Sequence, residues 1–403
     1  MGIIKKYINY IIIFILIYTS RDTLLVGTSV NENLILLGYL APVLVLIILL
    51  LEKNVNVIVR NNNYVYIFLG LIAITMISNF DINVKYGYEL LLVVIAFFIS
   101  RKILFQDFAQ AYCEIMMILT CFAVVSGVVF MISPNVISSF PVIANKGGLY
   151  YYNLGLSVIP LSVYGDYYRL YGIFREPGVA MIFINIGLLF ELFILEKKQK
   201  IGVVIFLAGI VLTFSTAGYF VALMILGAYL LSSNLKSSYR LWGTFCVVIL
   251  VIAVIRNEFV QNLVFSKFSN EDSMSTAARF GSFYNNINLL IDNPLNIFCG
   301  LGYQYVEDAF VQIGNQFHGQ GHNTNTILKE LAVHGIFFFI LILTRFYNFF
   351  TIWIRDKKIV IILLILATMA AFCNEDLTVN IILFIFIFYS SRNLYGNANT
   401  IKC

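Results

Sequence analysis

The residues best equipped for chemistry lie between positions 168 and 178, where the chain reads Tyr-Arg-Leu-Tyr-Gly-Ile-Phe-Arg-Glu-Pro-Gly. Arg169, Arg175 and Glu176 fall within about two helical turns of one another, in a chain where charge is scarce. Pro177-Gly178 is a turn pair that releases a hydrophobic helix immediately afterwards. Two guanidiniums and a carboxylate at the mouth of a hydrophobic segment are costly unless an anion meets them. Arginine forks bind phosphate oxygens bidentately, and Glu176 ahead of a helix N-terminus can position a sugar hydroxyl or accept its proton. The plainer alternative is an ordinary Arg175–Glu176 ion pair at a helix start.

All three histidines, His318, His322 and His334, lie in one short stretch. His322 precedes Asn323-Thr324, which reads as the cap of a late hydrophobic helix, and so sits at a membrane boundary. There it is either a capping or loop histidine or a general base, poised near neutral pH to take a proton from an attacking hydroxyl. His318 and His322 have the spacing of a helical metal pair, but Gly319 and Gly321 between them argue against a helix, and no metal or other cofactor is assigned. His334 reads as a packing or hydrogen-bonding residue. Arg279 is either a snorkelling arginine on an interfacial helix or a third cation for the same anion. Glu307, Asp308, Asp292, Glu375 and Asp376 allow a two-carboxylate glycosidase pair, but nothing fixes a separation. Asn185 is expected to bond to a neighbouring helix and Glu191 to lie near a cytoplasmic end. Tyr150-Tyr151-Tyr152, Tyr164, Tyr167, Tyr168 and Tyr171 suit an interfacial belt, and the same rings stack on sugars.

The elements that position these groups are set by hydropathy. Hydrophobic residues make up 60% of the 403 and charged residues only 12%, against about 25% in a soluble domain, so a water-soluble protein is excluded. Basic residues come in ones to threes between apolar runs, which excludes a nucleic-acid surface. Six cysteines without a Cys-x-x-Cys indicate neither a zinc site nor a disulfide framework. Lys5-Lys6 precede an apolar run with no small-residue cleavage site, which reads as a retained first span.

A bilayer core about 30 Å thick takes about 20 helical residues. On that ruler the chain holds about twelve spans: Ile3–Thr19, Leu34–Leu51, Tyr64–Phe80, Gly87–Ser100, Ala109–Ile132, Val179–Leu195, Ile201–Phe214, Tyr219–Leu231, Leu241–Arg256, Thr326–Phe350, Ile359–Phe372 and Leu377–Ser390. Fold class is therefore all-α, one polytopic integral membrane domain over residues 1–403. With both termini cytoplasmic, most of the 26 basic residues fall on the inner side, as the positive-inside rule asks. The long loops 133–178 and 257–325 are then both external, and long loops are usually functional or disordered. Within the second, Ser275–Ile291 carries a helical stripe, with Ser275 as its cap and Asp292-Asn293-Pro294 as its stop. That helix is expected to lie along the membrane surface.

The motif Arg169-x-x-Gly172-x-Phe174-x-Glu176-Pro177-Gly178 resembles the loop-to-helix motif of bacterial O-antigen polymerases and the related O-antigen ligases. Leu212-Thr213-Phe214-Ser215-Thr216-Ala217-Gly218 is similar to that superfamily's Thr-x-Ser-x-x-Gly turn. Thr216 stands where many relatives carry arginine, so no basic role falls to the turn. Arg279 with Asn293-Pro294-Leu295 and Gly300-Leu301-Gly302 resembles part of its large loop. His322-Asn323, then Leu331 and Gly335-Ile336, resembles the histidine opening its late helix. The first five spans match only in hydropathy.

The resemblance implies metal-free transfer of a glycan from undecaprenyl diphosphate to an acceptor hydroxyl on the external face of the bacterial inner membrane. The implied polymer is an O-antigen, a capsule or another surface polysaccharide. Arg169, Arg175 and Arg279 would hold the diphosphate, and His322 or Glu176 would serve as base, all five meeting at one external cavity. The implied partners are the lipid-linked oligosaccharide, the bilayer, and a chain-length regulator and flippase of the same pathway. A ligase acting on a lipid core is the nearest alternative, and a polysaccharide flippase or other transporter the alternative from another class. A periplasm-active reporter fused after Phe174 or Gly321 is expected to be active, and a cytoplasm-active one silent. The opposite pattern overturns the orientation.

Overall fold

The computed structural model describes residues 2–51, 64–146, 148–161, 168–196, 199–232, 274–292, 294–316, 321–354 and 356–390. The chain divides into two compact units. The first holds residues 1–62, 91–222 and 379–395, the second residues 63–90, 223–378 and 396–403. The expected span Leu241–Arg256, together with His318, Asn293, Tyr164 and Tyr167, lies outside the described residues.

In chain order the helices are α1 (Gly2–Tyr18), α2 (Glu32–Leu51), α3 (Tyr64–Asn79), α4 (Val84–Lys102), α5 (Phe105–Ile132) and the short α6 (Pro134–Ile137). After three strands come α7 (Pro177–Phe193), α8 (Lys200–Leu212) and α9 (Thr216–Leu231). The remainder are α10 (Met274–Asp292), a 3-10 turn at Pro294–Ile297, α11 (Tyr303–Gln316), α12 (Thr326–His334), α13 (Ile336–Trp353), α14 (Lys358–Phe372) and α15 (Ile381–Phe388). Among the described residues α2, α5 and α13 are long and apolar enough to cross a membrane, and α3, α7, α8, α9 and α14 are shorter apolar helices. On α2 the buried side is Gly38, Ala41, Pro42, Val45 and Leu49, while Leu36, Leu37, Leu40, Leu44, Ile47 and Leu51 are exposed. A helix apolar on its buried and its exposed side alike is built to face lipid. The chain is a mostly helical membrane protein.

In the first unit α7 is the axis. Every residue from Pro177 to Leu192 is buried, with α5 and α8 packed against it. Small residues permit that approach: a Cβ on Gly187 would meet the Phe206 ring at 2.9 Å, and one on Gly209 would meet Thr120 at 2.4 Å. Asn185 donates to the Gly218 carbonyl of α9 at 3.3 Å, the interhelical bond expected of it. Glu191 lies at the C-terminal end of α7, where it accepts the Gln199 amide. The break between α8 and α9 falls at Phe214, which takes a positive φ of 47°.

The second unit packs α12 against α3, α10 and α13, with α14 against α13. Gly300 and Gly335 make it possible, at φ of 76° and 84°. A Cβ on Gly300 would fall 2.0 Å from the Val333 carbonyl oxygen, and one on Gly335 2.4 Å from that of Phe298. The Gly300-Leu301-Gly302 strip thereby docks on the end of α12, with Leu301 and Gly302 amides donating to Ala332 and Val333 at 2.8 and 3.1 Å.

Several expectations need correction. The fold is not all-α throughout: in loop 133–178, Val142–Ala144, Tyr150–Asn153 and Val158–Pro160 form an antiparallel sheet β1-β2-β3, with Ile143 opposite Tyr151. Tyrosine and β-branched residues favour that pleated surface, and Tyr151 is core rather than belt, packed with Leu24, Val26, Val158 and Tyr171. The expected span Thr326–Phe350 is two helices, because Gly335 breaks it. In Leu377–Ser390 only Ile381–Phe388 is helical, starting at the cap Asn380. The surface helix expected over Ser275–Ile291 is present as α10, but it begins at Met274, so Ser275 is inside it and does not cap it.

Gly300→Ala is expected to lower thermal stability by at least about 1–3 kcal/mol, since it adds left-handed strain to a backbone clash. Gly70→Ala, in α3 with nothing within 4 Å of the new methyl, should hold or gain up to about 1 kcal/mol. Detergent-solubilised melting curves of the two variants check the contrast.

Candidate functional site

The segment 168–176 is held by two backbone seams of the first unit. On one side Leu170 donates its amide to Leu212, 2.8 Å away at the end of α8. Arg169 donates from Nε to the Thr213 carbonyl at 3.2 Å and from Nη2 to the Phe214 carbonyl at 3.4 Å. These are the spare carbonyls of a helix C-terminus, which attract a cation. The turn is shaped by its own hydroxyls: Thr213 Oγ1 accepts from the Ser215 amide, and Ser215 Oγ accepts from Gly218. The Thr-x-Ser-x-x-Gly pattern thus builds the platform on which Arg169 lies.

On the other side, residues 22–24 run against 173–175. The Arg175 amide donates to the Asp22 carbonyl at 2.8 Å, and Leu24 donates to Ile173 at 2.9 Å. Arg175 Nε stands 3.4 Å from Asp22 Oδ1, and Asp22 Oδ2 accepts from the Asn380 side chain. Arg175 therefore pairs with Asp22, not with Glu176. Nothing in the sequence pointed to Asp22, which lies far away along the chain and acquires meaning only when the chain ends come together.

Glu176 is the N-cap residue of α7, with extended backbone at φ −148°, and its carboxylate makes no capping hydrogen bond. The side chain is exposed. A carboxylate used neither by its own helix nor by Arg175 is available to a ligand at the positive end of a buried helix.

In the second unit α10 carries half-buried Arg279, one turn before Ser282. Ser282 Oγ donates to the His322 carbonyl at 2.8 Å and accepts the Thr324 amide at 2.8 Å. Asn286 and Asn323 exchange amide hydrogen bonds at 3.1 and 2.9 Å. The His322 side chain is exposed. The cap of α12 is Asn325, accepting from Leu328 at 2.9 Å, which corrects the expected cap at Asn323-Thr324 and relieves His322 of a capping role.

Three of the carboxylates named for a glycosidase pair, Glu307, Asp308 and Asp376, are otherwise engaged. Lys329 bonds to Asp376 at 2.6 Å and lies 3.8 Å from Glu307, which also pairs with Lys85. Asp308 accepts from Gln304.

Comparison with protein-family models, curated proteins and solved structures finds no match for this chain. The site rests on its geometry.

A further group in the second unit is buried and ionisable. Glu89 of α4 and Glu330 and His334 of α12 are fully enclosed, their ligand atoms within 4.8 Å of one another, and the Tyr303 hydroxyl donates to Glu89 at 3.1 Å. The Glu330–His334 spacing marks a shared helix face, but the third member comes from a distant helix that sequence pattern does not bring near. His334 lies 3.2 Å from Glu89 and 3.6 Å from Glu330.

The Arg175–Asp22 pair is testable by a double-mutant cycle on stability. Arg175 is 26% exposed, so the coupling between Arg175→Ala and Asp22→Ala is expected at about 1 kcal/mol rather than the several of an enclosed pair. Strict additivity would dissolve the pairing.

Proposed function

We propose that the protein is a polymerase of lipid-linked oligosaccharides, building a bacterial surface polysaccharide on the outer face of the inner membrane. In this proposal the acceptor sugar's hydroxyl gives its proton to a base and attacks the anomeric carbon of a glycan carried on undecaprenyl diphosphate. The carbon–oxygen bond to phosphate breaks, the electron pair leaves with the diphosphate, and the sugar centre inverts. Arg169, Arg175 and Arg279 stabilise the departing charge, and Glu176 or His322 takes the proton.

The observation that carries the proposal is the state of the 168–176 segment. Its arginines are oriented by carbonyls and by Asp22, while Glu176 stays exposed and outside every cap and ion pair among the described residues. Groups fixed in advance next to an uncommitted carboxylate suit a charge that develops only during reaction. About twelve spans with both termini cytoplasmic complete the proposal, with α2, α5 and α13 as its long members.

A transporter of lipid-linked glycans is a second possibility, favoured by the enclosed Glu89, Glu330 and His334, since transporters place ionisable groups inside the membrane. Purified protein in detergent, given diphosphate-linked repeat units, separates the two. Polymer forming without any membrane to cross supports the polymerase; intact monomeric substrate under all conditions contradicts it.

Arg175→Ala, Glu176→Gln and His322→Ala are each expected to cut polymer yield at least about 100-fold with normal membrane levels. Polymer at wild-type length and amount from one of them clears that residue of a catalytic part.

A further inference from the structure

We propose that Glu89, Glu330 and His334 bind one divalent transition-metal ion of the zinc or manganese type, which fastens α4 to α12 inside the second unit. The site is independent of glycan transfer. It stands at the C-terminal end of α12 with all three side chains enclosed, so no substrate reaches it.

Geometry favours an ion over a shared proton. His334 Nε2 lies 3.2 Å from Glu89 Oε2 and 3.6 Å from Glu330 Oε2, yet it makes a hydrogen bond to neither. Metal bonds of about 2.0–2.2 Å in a tetrahedron put neighbouring ligand atoms about 3.3–3.6 Å apart. The two separations from His334 lie close to that edge length, and all three ligand atoms fall within 4.8 Å of one another.

The unsatisfied atoms point the same way. Both Glu330 oxygens, Glu89 Oε1 and both His334 nitrogens lack hydrogen-bond partners while fully buried. Enclosed polar atoms left unbonded are costly, and two facing carboxylates without a counter-charge are more so. One doubly charged cation balances the two carboxylates with a neutral imidazole. The set of one imidazole and two carboxylates suits zinc or manganese, and the absence of sulfur disfavours copper(I). Tyr303, donating to Glu89 Oε2 at 3.1 Å, orients a ligand as outer-shell donors do. The rings of Tyr86, Tyr303 and Phe338 surround the imidazole at 6.0, 5.6 and 4.3 Å and keep water out.

The test is metal content and ligation of the purified full chain, with no activity assay. Roughly one zinc or manganese ion per chain is expected by elemental mass spectrometry. Chelator-stripped protein should melt several degrees lower and recover on adding that metal salt. Glu330→Gln and His334→Gln should lower occupancy at least tenfold. X-ray absorption on wild-type protein needs no variant and should show imidazole nitrogen and oxygen ligands only. A metal-free wild type whose melting ignores zinc and manganese salts, equal occupancy in both variants, or a sulfur-containing shell would each overturn the site.

Discussion

Charge in this molecule is confined by the solvent around it. A chain with only 12% charged residues and helices apolar on two sides has little water to offer an ion, so each buried or half-buried charge needs a fixed partner. Asp22 and Arg175 are the clearest case. Their pairing, with Asn380 on the other carboxylate oxygen, ties the loop after α1 and the start of α15 to the segment that opens α7. That tie orients Arg175 immediately before Glu176 and the start of the buried α7.

The same economy explains why Arg169 lies on helix-end carbonyls. The α8–α9 break supplies acceptors that would otherwise be unsatisfied, and the positive φ of Phe214 turns them toward the incoming arginine. These acceptors carry no formal charge, so they aim the guanidinium without neutralising it. In the second unit the corresponding work falls to uncharged groups. Ser282, Asn286, Asn323 and Asn325 order the residues around His322 by hydrogen bonds alone. Carboxylates that could act on a sugar, Glu307 and Asp376, are held by lysines instead. Glu176 is exposed and has no such engagement among the described residues.

Much of the fold was legible because hydropathy and punctuation are local signals. The starts and ends of α2, α3, α5, α7 and α14 follow the apolar runs to within a few residues, and Pro177 opens α7 as its position implies. A break in Ile201–Leu231 and the helix over Ser275–Ile291 were visible for the same reason, although the break falls at Phe214 and Gly218 lies inside α9. What stayed hidden was non-local. The three-stranded sheet in 142–160 depends on pairing across two turns, and the Gly335 break depends on a backbone contact with Phe298. Arg169, Arg175, Glu176, Arg279 and His322 were singled out by residue type and scarcity, whereas Asp22 and Glu89 were not. Each of those gains its role from a partner distant in sequence, and periodicity carries no such information.

The central claim is that the 168–176 segment recognises a lipid diphosphate, and the most direct measurement is binding. Native mass spectrometry of detergent-purified protein with undecaprenyl diphosphate and undecaprenyl monophosphate compares the two headgroups without turnover. Preference for the diphosphate, lost by at least about tenfold in Arg169→Ala and Arg175→Ala while overall lipid binding persists, is the expected result. Equal binding of both lipids, or a diphosphate preference that survives both substitutions, would contradict it.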